Sequence, residues 1–185
     1  MIHNAIHKIK HFLSRAVRIG AVAHFSRHVF IRLVRYLTAR KFTPKLIMEF
    51  GAGMGTMTRR IADQWPESMV KAFEIDDERF ETLQQYAWPL LECIHTSCLD
   101  AHEHLPAGQK VSLVISTLPL SLFSVADREA LLETVNDILA EDWLFVQFQY
   151  SRLNEQDIQR HFDIIDRLYE WRNIPPSYIF IAKKK

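Results

Sequence analysis

Apolar residues recur at spacings of three and four through the N-terminal part of the chain. Ile2, Ile6, Ile9, Leu13 and Val17 share one side of a helix, with His3, His7, Lys10, Ser14 and Arg18 opposite, and Gly20 breaks the run. A second stripe of Val22, Phe25, Val29, Leu33 and Leu37 is backed by His24, Arg27, His28, Arg32 and Arg35. Thr43-Pro44 closes it, because the residue before a proline disfavours helix. From Lys45 the pattern changes to short apolar runs alternating with helical periodicity. It predicts strands over 46–50, 69–75, 91–95, 111–116, 142–149, 162–170 and 177–182, and helices over 56–65, 77–88, 126–139 and 154–160. Strands alternating with helices of this length imply an α/β fold, a mostly parallel sheet covered on both faces. The last two strands follow each other across Asn173-Ile174-Pro175-Pro176, which reads as an antiparallel hairpin at one sheet edge.

Charge divides the chain at the same place. Residues 1–48 hold ten Lys/Arg and five His without one Asp or Glu, whereas the remainder holds 13 basic and 22 acidic residues, a formal charge of −9. The pattern therefore gives a basic amphipathic helical arm over 1–42 and an acidic α/β domain over 43–185. Such an arm suits a polyanionic partner, an anionic membrane surface or a nucleic acid. Its apolar stripes suit either a bilayer interface or packing on the body as a lid. No stretch reaches the ~18 to 20 apolar residues that cross a bilayer. The scattered Lys, His and Arg of the N-terminus interrupt the apolar core a signal peptide needs, although an acid-poor organelle presequence shares this composition. Cys93 and Cys98 flank His95 without a fourth ligand, so neither a disulfide framework nor a metal site is expected, and a reducing, cytoplasmic compartment is.

Candidate chemistry begins at LIMEFGAGMGTMTRRIA, an apolar strand, then Gly51-Ala52-Gly53-Met54-Gly55, then a helix. Glycines there let the backbone turn tightly and approach a ligand. Glu49 just before the loop would repel a pyrophosphate but suits a cation. Glu74, at the end of the second strand in FEIDDE and followed by Ile75, stands where an acid grips both hydroxyls of a ribose. Asp100, after Leu99 in SCLDAHEHL, could accept from an adenine amino group. Each acid also has a plainer reading: Glu49 a buried ion pair, Glu74 a helix-cap acid, Asp100 an N-cap. Together, an acid, a ribose grip and an adenine contact at successive strand ends describe a cationic adenosine nucleoside without phosphates, which is S-adenosylmethionine.

Residues 45–150 resemble the class I S-adenosylmethionine-dependent methyltransferases, through EFGAGMG, FEIDDE, CLDAH and VISTLPLSLF. The resemblance implies a Rossmann-like seven-stranded sheet. It also implies a cofactor site of Glu49, Gly51, Ala52, Gly53, Gly55, Glu74, Ile75, Leu99, Asp100 and Ser116. More narrowly, ISTLPL with the C-terminal RNIPPSYIF is similar to the bacterial phospholipid N-methyltransferases, which methylate phosphatidylethanolamine. That family implies a membrane-binding role for the basic arm and hence a peripherally membrane-associated cytoplasmic protein. The rRNA adenine dimethylases share G-x-G-x-G, but hold their base with Asn-Leu-Pro and an aromatic. Those positions are here Thr117, Leu118, Pro119 and Leu120, and Phe123 stands three residues late. A stacked base gains roughly 1 to 3 kcal/mol from such an aromatic. The predicted strands also account for the chain to about residue 182, with no further helical domain to hold RNA. Nucleic acid is thus the weaker partner.

For an amine acceptor, no general base stands in Ser116–Phe123. A desolvating pocket beside a sulfonium would lower the amine pKa, with Ser116, Thr117 and the backbone at Leu118 and Pro119 orienting the lone pair. Leu120, Phe123, Tyr150 and Tyr178 are candidates to line the acceptor pocket, the two tyrosines being equally suited to the core.

Overall fold

The computed structural model describes residues 25–86 and 88–185. The predicted helix over 2–17 lies outside the described residues. Helix α1 (Arg27–Ala39) begins later than its apolar stripe. Ser26 is in an extended conformation, φ −70° and ψ 164°, and its N–H is taken by Asn173 Oδ1 at 2.8 Å. The helix buries Val29, Phe30, Leu33, Tyr36 and Leu37, one face at spacings of three and four. This face packs on the sheet with Ile47, Val70, Leu113, Val146, Phe148, Ile179 and Ile181. The second arm helix is therefore part of the core of the α/β body, and its apolar stripe is not free for a bilayer; the boundary expected at residue 42 does not separate them.

Then follow β1 (Leu46–Phe50), α2 (Thr56–Gln64), β2 (Met69–Phe73), α3 (Asp77–Leu83), β3 (Leu91–Ile94), a 3₁₀ segment (Cys98–His104) and β4 (Val111–Ser116). A 3₁₀ turn (Leu120–Leu122), α4 (Val125–Ile138), β5 (Leu139–Gln149), α5 (Glu155–His161), β6 (Phe162–Glu170) and β7 (Ser177–Lys184) complete the described chain. The seven strands form one sheet in the order β3-β2-β1-β4-β5-β7-β6, with β7 running against the other six. The architecture is the expected Rossmann-like one, edge hairpin included. β1 and β4 are buried at every position, as strands covered on both faces must be. At the edge, β6 alternates, and its interior positions from Asp163 to Tyr169 are exposed or half-buried.

α1 and α2 cover one face of the sheet, while the 3₁₀ segment, α4 and α5 cover the other through Ala101, Leu131, Leu132, Val135, Ile138 and Ile158. Two helices are capped as their sequences imply: Asp76 Oδ1 accepts from Arg79 N at 3.1 Å, and Ser124 Oγ accepts from Asp127 N at 3.2 Å. α3 ends at Leu83, five residues before the predicted end at 88, and the Tyr86 ring that follows it lies directly against Gly55.

Candidate active site

The strand order reverses between β1 and β4, and such a switch point leaves a crevice at the C-terminal strand ends. Phe50, Ser116 and Gln147 stand side by side in register there. A cleft of about 710 Å³, open mouth included, lies at this end. Its walls are Gly51 from the glycine loop, Phe73–Asp76 after β2, Arg79 on α3, Thr96–Leu99, the lip Thr117–Pro119, and Phe123 and Asp127.

The glycine loop is pinned from below: Gly51 N and Ala52 N both donate to Phe73 O, at 3.0 and 2.9 Å. The three glycines serve different ends. A Cβ on Gly51 would stand 2.7 Å from Leu118 Cδ2, so the loop lies directly against the lip, and a Cβ on Gly55 would strike the Tyr86 ring at 2.4 Å. At Gly53 nothing lies within 4 Å, which leaves space against the loop backbone. Glu49, beneath the loop in β1, is fully buried, and neither carboxyl oxygen has a hydrogen-bond partner. Desolvation pushes its carboxyl up to about 8; the nearby Thr58 hydroxyl opposes this without closing a hydrogen bond, and the Glu74 charge adds to it. Glu74 Oε2 accepts from Gly53 N at 2.7 Å and Oε1 from Ile75 N and Asp76 N, both at 2.9 Å. The acid thus locks two loops together and keeps acceptor capacity at Oε2.

The lip is as firmly held. Thr117 N donates to Phe50 O at 3.1 Å and Thr117 Oγ1 to Gly51 O at 2.7 Å, which couples the lip to the glycine loop. Gln147 Nε2 and Gln149 Nε2 both donate to Leu118 O at 2.9 Å, and Gln147 reaches Ser116 O at 3.3 Å as well. These two glutamines were not among the residues expected from sequence. Their signal is two polar residues at alternate positions of an apolar strand, VQFQY, which places both on one side of a buried strand.

The cleft gathers Gly51, Glu74, Ile75, Leu99, Thr117, Leu118, Pro119 and Phe123 from the expected set. Ser116 is fully buried, its Oγ accepting from Leu118 N at 3.4 Å, and it supports the lip from behind. Asp100 accepts from Thr96 Oγ1 at 3.3 Å, one step outside the wall. Leu120 is wholly buried in the core and does not face the cleft. Tyr150 stacks on Phe25 with centroids 4.9 Å apart, on the face that α1 covers, and Tyr178 packs against Tyr169 and Phe180. Neither tyrosine is on the cleft wall, and both are half-buried. Burial pushes the Tyr150 hydroxyl up to about 12. Phe73, Asp76, Arg79, Thr96, Ser97 and Asp127 are cleft residues the sequence pattern did not single out, and Cys98, weighed there only as a metal or disulfide residue, joins them. Cys98 is held neutral, its thiol pushed up to about 12 by burial, while His95 turns to Asp77 at 3.1 Å and stacks on Phe80.

An adenosyl sulfonium fits this arrangement. Buried, unpartnered Glu49 oxygens lie under the loop, Gly53 leaves space, and Glu74 holds an acceptor at the wall. The family of methyltransferase domains matches residues 47–142. Malonyl-[acyl-carrier protein] O-methyltransferase of Geobacter sulfurreducens is 28% identical over 145 residues, 78% of this chain and 51% of that protein. The chain thus spans about half the length of the curated relative it matches. Among solved structures, the N-methyltransferase NodS of Bradyrhizobium japonicum in complex with S-adenosyl-L-homocysteine aligns with a TM-score of 0.67 at 10% identity, over 83% of this chain and 84% of that one. Magnesium protoporphyrin IX methyltransferase of Synechocystis, with bound S-adenosylmethionine, aligns at 0.66 with 16% identity, over 94% and 84%. At these identities the likeness is one of fold. The chain belongs to the methyltransferase domain family, and its fold is the one these solved methyltransferases share.

Proposed function

We propose that the chain methylates the amine headgroup of a phospholipid such as phosphatidylethanolamine. The observation that carries this reading is the lining of the cleft. Its charged walls are three carboxylates, Glu74, Asp76 and Asp127, against one guanidinium, Arg79, and its lip is apolar through Leu118, Pro119 and Phe123. Such walls attract a cationic amine on an apolar anchor and repel an anionic acceptor. A malonyl carboxylate would meet repulsion there. No aromatic stands at position 120 to stack on a base, and Leu120 is spent in the core.

S-adenosylmethionine supplies an electrophilic methyl group on a sulfonium. The Gly51 loop and Glu74 would hold it, and an amine could accept that methyl only in its neutral form, its proton having passed to solvent before the acceptor settles against the lip. Residues of this chain position that acceptor. Thr117 is the lip hydroxyl that lines the cleft, and because its hydrogen is committed to Gly51 O, its lone pairs are left to accept from the amine. Leu118 O, engaged by both glutamines, is a fixed post rather than an acceptor for substrate. Leu118, Pro119 and Phe123 exclude water and so favour the neutral amine. Catalysis on this reading is chiefly positioning.

The test is transfer of a radiolabelled methyl group to phosphatidylethanolamine vesicles, total RNA, a panel of soluble amines and malonyl-carrier protein, in parallel. Label in the vesicles is the expected outcome. Label confined to RNA, soluble amines or carrier protein overturns the lipid assignment.

A further inference from the structure

A second cavity, of about 610 Å³ with its open mouth included, lies beside α2 and shares no residue with the cleft. Its walls are Thr56, Arg59, Arg60 and Asp63 of α2, and Tyr86 beyond the end of α3. Two guanidinium groups and one carboxylate therefore line it, an excess of positive charge. Neither arginine has an ion-pair partner among the described residues, Asp63 included.

Arg60 is half-buried, and its Nη1 is cut off from solvent with no group of the protein accepting from it. A charged donor in that position is unfavourable and calls for a partner. Burial lowers the Arg60 pKa and the Arg27 charge lowers it further, so a cation at the start of α1 adds to the local excess. Arg59 is already placed: its Cζ lies 5.4 Å from the centroid of the Tyr86 ring, which itself lies against Gly55. A planar fork laid on an aromatic loses less freedom when it takes up an anion. Arginines that served only to solvate α2 would leave the buried Nη1 unexplained, whereas a bound anion satisfies it.

We propose that this cavity binds a phosphate group, with Arg59 and Arg60 forked onto its oxygens and the Thr56 hydroxyl as a further donor. A carboxylate has oxygens for one fork, whereas a phosphate group has oxygens for both forks and a hydroxyl. Asp63 opposes the anion, so affinity is set by the balance of the cations against this one carboxylate. The ligand is phosphate itself or a phosphate ester. The site stands apart from the acceptor cleft, and its test requires neither an acceptor nor turnover.

The full chain is titrated in a calorimeter with inorganic phosphate and with glycerol 3-phosphate, in chloride buffers of matched ionic strength. One-to-one binding is expected, and Arg59→Gln or Arg60→Gln should each weaken it about tenfold or more. Asp63→Asn, a change at an exposed residue, should tighten it severalfold, a gain that damage to the fold does not produce. Phosphate should also raise the thermal transition above its value in chloride at equal ionic strength. Arg59→Gln combined with Arg60→Gln should abolish that rise and leave S-adenosyl-L-homocysteine affinity unchanged. Heats and melts in phosphate no different from those in chloride overturn the proposal, as does undiminished binding by the double variant. Displacement of bound phosphate by phosphatidylglycerol vesicles would identify a lipid headgroup as the source of the phosphate group, and no displacement identifies a free phosphate or soluble ester.

Discussion

Glu49 shows how one residue can tie cofactor binding to stability. It lies in the central strand, fully buried with both oxygens unpartnered, so desolvation holds its carboxyl neutral up to about pH 8. In the unfolded chain it titrates near 4.5. Between those values the folded state carries more protons than the unfolded one, so the stability that neutral Glu49 contributes is lost as pH rises through the window. Glu49→Gln should flatten this part of the pH profile in denaturation experiments without cofactor. A sulfonium or ammonium nearby favours the ionised form instead. Binding of S-adenosylmethionine at about pH 7 should then release a proton, seen as calorimetric heat that varies with the buffer's ionisation enthalpy. Glu49→Gln should abolish that dependence, and its persistence would remove Glu49 from the cofactor site.

Among the elements, α1 decides most of what the amphipathic pattern left open. Its stripe predicts an amphipathic helix equally able to lie on a bilayer or to pack as a lid, and the fold spends Val29, Phe30, Leu33 and Leu37 on the sheet. Its start is set from the far end of the sequence, by Asn173 in the hairpin turn. Asn173→Ala would leave the Ser26 N–H and Pro175 O without their partner, at a cost of about 1 to 3 kcal/mol, the range for stranded buried polar groups. The expected result is that loss in chemical denaturation, with faster amide exchange in the first turn of α1. A loss without faster exchange there would mean that Asn173 matters only to its own turn. The lip depends on a similar long-range device. Gln147 and Gln149 reach across from β5 to fix Leu118 O, which a reading of the lip's own residues cannot reveal.

For the whole molecule, pH acts from two sides. Glu170 is fully buried, and the Arg172 guanidinium holds its carboxyl down at about 2. Its contribution is therefore present above the ordinary value of 4.5 and lost as pH falls toward 2. Glu129 is also held low by Arg160 and His161, Glu155 by Arg152 and Arg167, and Asp157 by Asn154 together with Arg160 and Arg128, and all three act in the same direction. Together with the opposite slope from Glu49, these groups should make the cofactor-free protein most stable at about pH 5. Thermal melts across pH check this, and saturating S-adenosylmethionine should move the maximum upward. A maximum that stays put with cofactor would disconnect Glu49 from the binding linkage.

The sequence by itself determined the alternation of elements, and with it the layered sheet, because apolar periodicity directly records which side of each strand or helix is buried. It also determined the glycine loop, the acid after β2 and the lip, because a parallel sheet delivers every β-to-α junction to one edge. The tertiary structure alone decided which side chains share the cleft. Asp76 and Arg79 come to its wall from the start of α3 and Asp127 from α4, Leu120 turns away into the core while Tyr150 stacks on Phe25, and Asn173 meets Ser26 across 147 positions of chain. Local pattern carries no record of such encounters, because they follow from how twisted layers stack and not from the spacing of residues along the chain.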